Sequence, residues 1–135
     1  MVDQQHCIVA VVDDDPRVRE SLENLFDSAG LETRSFTSAE EALQPGKLES
    51  ICCLVTDVRM SGIDGCELQR RVTSALPSLP VIFVTAHHNE EVRKNVLIQG
   101  AFAFLYKPFD GEELLNTVSA ALVQSRTQHF HSQEI

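Results

Sequence analysis

Short apolar runs rich in β-branched residues alternate with amphipathic segments along the chain. A strand that is covered on both faces reads as a continuous apolar run, as the strands of parallel sheets do. A segment with apolar residues every three or four positions predicts a helix that buries one face. Because the two kinds of segment take turns, without an internal repeat, the pattern predicts a parallel sheet with helices on both faces.

Five of the apolar runs predict strands. They are Cys7–Val12, Leu31–Phe36, Ile51–Thr56, Val81–Val84 and Ala101–Tyr106. A helical pattern follows each run, and three of these patterns begin at a capping side chain, namely Asp15, Ser38 and Asp110. Right-handed crossovers leave few ways to connect parallel strands. The expected fold class is α/β, a flavodoxin-like doubly wound sheet of five strands in the order 2-1-3-4-5 with five helices.

The chain has 135 residues, the length of one domain. Its 11 Lys and Arg residues against 20 Asp and Glu residues give a formal net charge of -9. An acidic surface repels phosphate backbones and anionic lipids, so we expect this segment to bind neither nucleic acid nor a membrane. The first residues lack the basic region and long apolar stretch of a signal peptide, which predicts a cytoplasmic location. Residues 1–124 are expected to form the domain, followed by a polar segment at 125–135.

Four cysteines stand in the chain, and none of them forms a C-x-x-C motif. Cys7, Cys52 and Cys53 lie in apolar runs, and Cys66 lies in a helical pattern. Cysteines in such positions are typically reduced thiols that pack as small apolar side chains, and this is the expected state. A metal-binding or redox role is the alternative.

Polar residues that break the pattern stand where the predicted strands end. They are Asp13 and Asp14 after strand 1, Asp57 after strand 3, Thr85 after strand 4 and Lys107 after strand 5. In the order 2-1-3-4-5, strands 1 and 3 are neighbours at the point where the order of connection reverses, and open α/β sheets bind ligands there. Since adjacent strands lie roughly 4.8 Å apart, we expect the aspartates to meet in one pocket, with Thr85 and Lys107 on its other side.

Carboxylates that share one pocket repel each other, so one of them is protonated or a cation lies among them. Oxygen ligands with positions left for water favour Mg²⁺ as that cation. A metal held in this way leaves room for phosphoryl oxygens, with the Thr85 hydroxyl and the Lys107 ammonium beside them. Asp57 is then placed to act as a nucleophile and to form an aspartyl phosphate. The alternative is that the acids only cap helices, which suits Asp15 and Asp110 but does not explain the whole set.

The segments at these strand ends resemble one protein family. They are Val11–Asp15, Val55–Met60, Val84–Ala86 and Lys107–Phe109. In this order and spacing they resemble the receiver domain of two-component response regulators, and among those the FixJ-like, LuxR-type subgroup. The resemblance runs from about residue 6 to residue 123, nearly the whole chain. It implies a CheY-like form of the fold and a signalling domain that is not an enzyme, beyond catalysing its own phosphorylation and dephosphorylation.

The resemblance also implies a role for each aspartate. Asp57 would be the phosphoacceptor and would receive its phosphoryl group from a sensor histidine kinase, the implied partner. Mg²⁺ would be the cofactor. Its ligands would come from the acid pair Asp13 and Asp14, from Asp57, and from the backbone carbonyl of Arg59.

Further roles that the resemblance implies concern the transmission of the signal. Lys107 would contact the phosphoryl group, and the Lys107–Pro108 peptide bond would be cis. Thr85 would swing toward the phosphate and Phe104 would turn inward behind it. This change would remodel the face of helix 4, strand 5 and helix 5, through which the chain would form a homodimer or control an output domain. Residues 125–135 would be a tail or the start of a linker to that output domain, which is transcriptional in this subgroup.

Positions around the acceptor show what is particular to this chain. Arg59 and His87 occupy positions that, in the family, tune how long the phosphate survives. Ser61 stands where the family usually has proline, so the loop beside Asp57 is expected to be more mobile than usual.

Other classes of function remain as alternatives to the phosphoacceptor switch. A Mg²⁺-dependent phosphohydrolase would usually carry Asp-x-Asp after its first strand and a cap insertion, whereas this chain has Asp57-Val58-Arg59 and no insertion. A docking module that works without phosphate would be expected to lack Asp57 or Lys107, and both are present.

Overall fold

A computed structural model describes the backbone of residues 7–134 and the side chains of residues 7–125. The strands are β1 (Ile8–Val12), β2 (Glu32–Phe36), β3 (Ile51–Thr56), β4 (Val81–Thr85) and β5 (Ala103–Tyr106). The helices are α1 (Pro16–Ser28), α2 (Ala39–Ala42), α3 (Gly65–Ala75), α4 (Glu90–Ile98) and α5 (Gly111–Glu134).

The strands form one parallel sheet in the order β2-β1-β3-β4-β5. This order confirms the expected fold class. β1 and β3 lie side by side near the middle, and β2 and β5 form the edges. The carboxyl ends of the strands therefore share one edge of the sheet, with Val12 of β1 opposite Thr56 of β3.

Successive side chains of the central strands generally point to opposite faces of the sheet, and each face is covered by its own apolar layer. The layer under α1 and α5 contains Val9 and Val11 of β1 together with Leu22, Phe26, Leu114 and Val118 of the helices. The layer under α2, α3 and α4 contains Ala10 and Val12 together with Ala39, Leu68, Val72 and Val96. Because both faces are covered, β1 is buried along its whole length, which explains its unbroken apolar sequence.

Capping side chains fix the helix starts, including those expected from the sequence. Asp15 accepts a hydrogen bond from the backbone N–H of Arg17, and Ser38 accepts one from that of Glu41. The first helical position after Asp15 is Pro16, whose missing N–H is not needed there. The side chain of Asp110 accepts from the N–H group two residues further on, at 2.9 Å.

The last helix is longer than the sequence pattern indicates. Apolar periodicity ends near residue 124, yet α5 runs through Glu134. The sequence holds no Gly or Pro after Gly111, so nothing in it breaks the helix. In the part of the chain that the structure describes, neither α5 nor another helix is both long and apolar enough to cross a membrane.

The cysteines differ from one another, and the expectation of four reduced thiols is corrected for two of them. Cys7 and Cys52 form a disulfide with a Cα–Cα distance of 5.5 Å. Cys53 and Cys66 are free thiols, the first buried and the second half-buried. The reason is an irregularity in β3 beside Cys52, which turns this side chain toward Cys7.

Candidate functional site

The polar residues at the strand ends lie along the carboxyl edge of the sheet. The backbone N–H of Asp57 donates to the carbonyl of Val12 at 3.2 Å, which brings Asp57 next to Asp13. The N–H of Lys107 donates to the carbonyl of Thr85 at 2.8 Å, so these two residues are neighbours as well. Parallel pairing of β1 with β3, of β3 with β4 and of β4 with β5 thus carries all four residues to the same edge of the sheet.

Lys107 joins two of the aspartates. Its Nζ lies 3.1 Å from Oδ2 of Asp13 and 2.9 Å from Oδ2 of Asp57. The side chains of Lys107, Asp13 and Asp57 are only 17%, 4% and 11% exposed. Because water is largely excluded, these charge-assisted hydrogen bonds are strong and hold the two carboxylates around one cation.

The pKa values in this cluster reflect its burial. Burial raises the pKa of Asp13, although the N–H of Asp15 and the ammonium of Lys107 oppose this effect. Burial alone lowers the pKa of Lys107, but the hydrogen bond and charge of Asp57, together with those of Asp13, outweigh it. The pKa of Lys107 therefore lies above its ordinary 10.5, and the lysine stays charged.

The two carboxylate oxygens of Asp57 have different surroundings. Oδ1 accepts hydrogen bonds from the backbone N–H groups of Val58 at 2.6 Å and of Arg59 at 3.3 Å. Oδ2 faces Lys107. The backbone of β3 and the following turn thus fix the orientation of the carboxylate, while the lysine sets its charge environment.

Asp14 points away from this cluster. Its Oδ2 accepts hydrogen bonds from the backbone N–H of Ser61 at 3.1 Å and from the Ser61 hydroxyl at 3.4 Å. The structure therefore brings Asp13, Asp57 and Lys107 together and leaves Asp14 at the loop that follows β3.

A metal site is not preformed among residues 7–125: no three His, Cys, Asp or Glu side chains are grouped so that they could hold an ion. The donors nevertheless fit a hard cation in their chemistry. Asp13 and Asp57 already converge on one positive charge, and carboxylate and carbonyl oxygens are the ligands that Mg²⁺ prefers.

Thr85 and Phe104 lie beside the cluster on β4 and β5. Thr85 is fully buried, and its Oγ1 accepts a hydrogen bond from the N–H of His87 at 3.2 Å. The ring of Phe104 is half-buried, 6.0 Å from that of Phe83 and 5.4 Å from that of Tyr106. The hydroxyl of Thr85 thus holds the start of the β4–α4 loop.

Three other residues that the sequence pointed to follow the strands of the site, namely Arg59, His87 and Pro108. The Lys107–Pro108 peptide bond is cis. The side chains of Arg59 and His87 are exposed on the loops that follow β3 and β4.

Two further residues position Asp57 and its loop through close packing and a hydrogen bond that the sequence pattern does not predict. A Cβ atom at Gly65 would overlap the backbone carbonyl oxygen of Asp57 and lie 3.1 Å from the Phe83 ring. Glu40 accepts a hydrogen bond from the N–H of Ile63 at 2.8 Å, which lowers the pKa of the glutamate.

Comparison with known proteins identifies the same family. The response regulator receiver domain family matches residues 9–119. Nodulation protein W of Bradyrhizobium diazoefficiens is 42% identical over 119 residues, which are 88% of this chain and 52% of that protein. The transcriptional regulatory protein FixJ of Azorhizobium caulinodans is 40% identical over 120 residues, which are 89% of this chain and 57% of that protein.

A solved structure extends this similarity. The crystal structure of a response regulator receiver protein from Pseudomonas putida has a TM-score of 0.80 at 32% identity, covering 85% of this chain and 97% of the other. The chain spans about half the length of the curated relatives it matches. It belongs to the response regulator receiver domain family, with relatives of the FixJ-like subgroup, and is a signalling domain of two-component systems.

Proposed function

We propose that this receiver domain works as a switch in which Asp57 accepts a phosphoryl group from a sensor histidine kinase. The observation that carries the proposal is the pair of hydrogen bonds from Lys107 to Asp57 and Asp13. A cation fixed beside one oxygen of a buried carboxylate suits a site where the negative charge of a phosphoryl group must be offset.

The residues of the site have distinct parts in this reaction. A carboxylate oxygen of Asp57 attacks the phosphorus of the donor, and the bond from phosphorus to the histidine nitrogen of the kinase breaks. The amides of Val58 and Arg59 hold the carboxylate in orientation, as their contacts with Oδ1 indicate. Lys107 stabilises the added charge, since its ammonium already lies 2.9 Å from Asp57.

Mg²⁺ is the proposed cofactor. Its ligands would be Asp13, Asp14, Asp57 and the backbone carbonyl of Arg59. When bound, it would offset negative charge on the phosphoryl oxygens. To serve as a ligand, Asp14 has to give up or share its contact with Ser61.

The proposed output passes through β4 and β5, beside the acid cluster. Thr85 would leave the His87 amide for the phosphoryl group, and Phe104 would fill the space behind it. The face of α4, β5 and α5 would then change and control a homodimer or an output domain, a transcriptional one in view of the relatives' names.

The proposal also covers the organisation of the protein. Residues 1–124 would be the receiver domain and residues 125–135 a tail or the start of a linker. The protein would be cytoplasmic and, apart from its own phosphorylation and dephosphorylation, not an enzyme. With a formal charge of -9, this segment would make no direct contact with nucleic acid or membrane.

The experiment is the intact mass of the chain after incubation with acetyl phosphate, with and without Mg²⁺. We expect the gain of one phosphoryl group in the wild type with Mg²⁺, and no gain in Asp57→Asn. Asp110→Asn is the matched control, because it changes an acid that only caps α5.

Other outcomes would overturn the proposal. Phosphorylation of Asp57→Asn at the wild-type rate would show that another residue is the acceptor. No adduct in the wild type, together with no binding of beryllofluoride, would favour a docking module. Rapid turnover of unrelated phosphate esters would instead favour a phosphohydrolase.

A further inference from the structure

The amino edge of the sheet, opposite the aspartates, holds a second chemically reactive pair. Cys7 directly precedes β1, and Cys52 is the second residue of β3. Their Cα atoms are 5.5 Å apart, within the range of about 4.4–6.8 Å that a disulfide spans without movement of the backbone.

A bulge in β3 creates this pairing. Ile8 lies opposite Ile51, whereas Val9 lies opposite Cys53, so Cys52 is the extra residue. As a result, Cys52 and Cys53 both face the apolar layer under α1 and α5, where Cys7 also packs. Strict alternation would have turned Cys52 to the other face of the sheet, away from Cys7.

The backbone before the bulge is also unusual. Ser50 has a φ of 67°, a left-handed conformation that residues other than glycine rarely adopt. This turn leads the chain into β3 one residue before Ile51. The position of Cys52 therefore depends on a specific local backbone rather than on a regular strand.

The other two cysteines have thiols with raised pKa values. Cys53 is buried, which raises the pKa of its thiol to about 12. Burial, and then the charge of Asp64, raise the pKa of the Cys66 thiol. Because the thiolate is the reactive form, a raised pKa makes both of these thiols poor partners in thiol exchange. Cys7 and Cys52 are both half-buried.

We propose that Cys7 and Cys52 form a redox modification site that is oxidised reversibly by a small-molecule disulfide of the glutathione class. One thiolate attacks the small disulfide, forms a mixed disulfide and releases one small thiol. The second cysteine then displaces the other small thiol and closes the Cys7–Cys52 bond. In total, two protein thiols lose two electrons and two protons, and one small disulfide becomes two small thiols.

Oxidation stabilises the domain without changing the acid cluster. The bond joins residues 45 positions apart and encloses β1, α1, β2 and α2. Such a cross-link restricts the unfolded chain, which for this loop raises the melting temperature by roughly 6–12 °C. The cysteines lie at the amino ends of β1 and β3 and the aspartates follow their carboxyl ends, so phosphorylation by acetyl phosphate is expected to change less than about twofold.

The test titrates the full chain with mixtures of oxidised and reduced glutathione. Each sample is quenched in acid, and the protein is then dissolved in denaturant at a pH of about 8 with excess iodoacetamide, which alkylates thiolates, before it is weighed intact. We expect four alkyl groups under reducing conditions and two under oxidising conditions, with a cross-linked Cys7–Cys52 peptide after digestion. The melting temperature is measured at both ends of the titration.

Single variants identify the bond. Cys7→Ser and Cys52→Ser are expected to lose both the cross-link and the thermal shift, whereas Cys66→Ser keeps both. If a serine variant does not fold, the redox titration of the wild type stands alone as the test. Four alkyl groups at every glutathione ratio, stable glutathione adducts without a cross-link, or an unchanged melting temperature in the oxidised form would each overturn the proposal.

Discussion

Ser61 donates its backbone N–H to Oδ2 of Asp14 at 3.1 Å, and its hydroxyl lies 3.4 Å from the same oxygen. Proline, which the family usually carries at this position, has neither donor. The serine therefore ties the loop after β3 to an acid that follows β1. A serine in place of proline predicts a more mobile loop, but this contact gives the loop an anchor that proline would not provide.

Replacing Ser61 with proline is expected to strengthen Mg²⁺ binding by about three- to tenfold, the equivalent of roughly one hydrogen bond, because Asp14 is then free to turn toward the metal. Ser61→Ala keeps the N–H and is expected to stay within about twofold of the wild type. Isothermal titration calorimetry with MgCl₂ measures the Mg²⁺ affinity of both variants and of the wild type. Weaker binding by Ser61→Pro would mean that the contact orients Asp14 as a ligand instead.

Replacing Lys107 with methionine is expected to destabilise the fold by about 1–3 kcal/mol, because two buried carboxylates lose the cation between them. The loss should shrink by about 1 kcal/mol when Asp57→Asn is present as well, since one of the repelling charges is then absent. Urea unfolding of the wild type, both single variants and the double variant measures this coupling. The control is Lys94→Met, which changes an exposed lysine of α4. Equal stability of Lys107→Met and the wild type would contradict the prediction.

Gly65→Ala is expected to destabilise the domain by about 1–3 kcal/mol and to slow phosphorylation by acetyl phosphate, since the added Cβ pushes on the backbone of Asp57. Gly100→Ala is the matched control, because its φ is +105° and nothing lies within 4 Å of the added atom. That variant should lose about 1–2 kcal/mol from backbone strain alone and keep the wild-type phosphorylation rate. Equal effects of the two variants on the rate would show that Gly65 does not position Asp57.

Glu67 on α3 is expected to make stability depend on pH. Hydrogen bonds from Arg70 and Arg71 lower its pKa to about 2. A carboxylate with a lowered pKa stabilises the fold above its unfolded value of about 4.3, and this contribution is lost as the pH falls toward the folded value. The difference in melting temperature between wild type and Glu67→Gln should therefore be present at pH 7 and shrink between about pH 5 and pH 3.

A matched measurement separates this effect from general acid destabilisation. Glu20→Gln, which changes an exposed acid of α1, is measured in parallel as the control. Added salt should weaken the Glu67 effect as well, because the pairs with Arg70 and Arg71 are exposed. A difference for Glu67→Gln that stays constant from pH 7 to pH 3 would contradict the assignment.

The strands could be predicted because their signals are local, and their order because right-handed crossovers leave few ways to connect parallel strands. A strand buried on both faces, such as Ile8–Val12, is apolar at every position, and this is visible without knowledge of its neighbours. The helix caps Asp15 and Ser38 are local as well, since each contacts an amide two or three residues away. The meeting of Asp13 and Asp57 followed from the strand order, because neighbouring parallel strands end at one edge.

Contacts between distant side chains could not be predicted in the same way. Lys107 reaches Asp13 and Asp57 across 94 and 50 positions, and Asp14 turns to Ser61 across 47. The side-chain rotamers decide that Asp13 and Asp57 face the lysine and that Asp14 faces the loop, and these rotamers depend on how the side chains pack together.

The sequence by itself determined the fold class, the strand order and the edge of the sheet where the acids gather. Periodicity and turn residues act within a few positions, and right-handed crossovers then leave few strand orders. The tertiary structure alone decided that Asp13 and Asp57 share Lys107, that Gly65 packs on the backbone of Asp57, and that Cys52 meets Cys7. The last of these depends on one extra residue in β3, which turns a side chain to the other face of the sheet. Such a bulge arises from the register between two strands, and register exists only once the strands have paired.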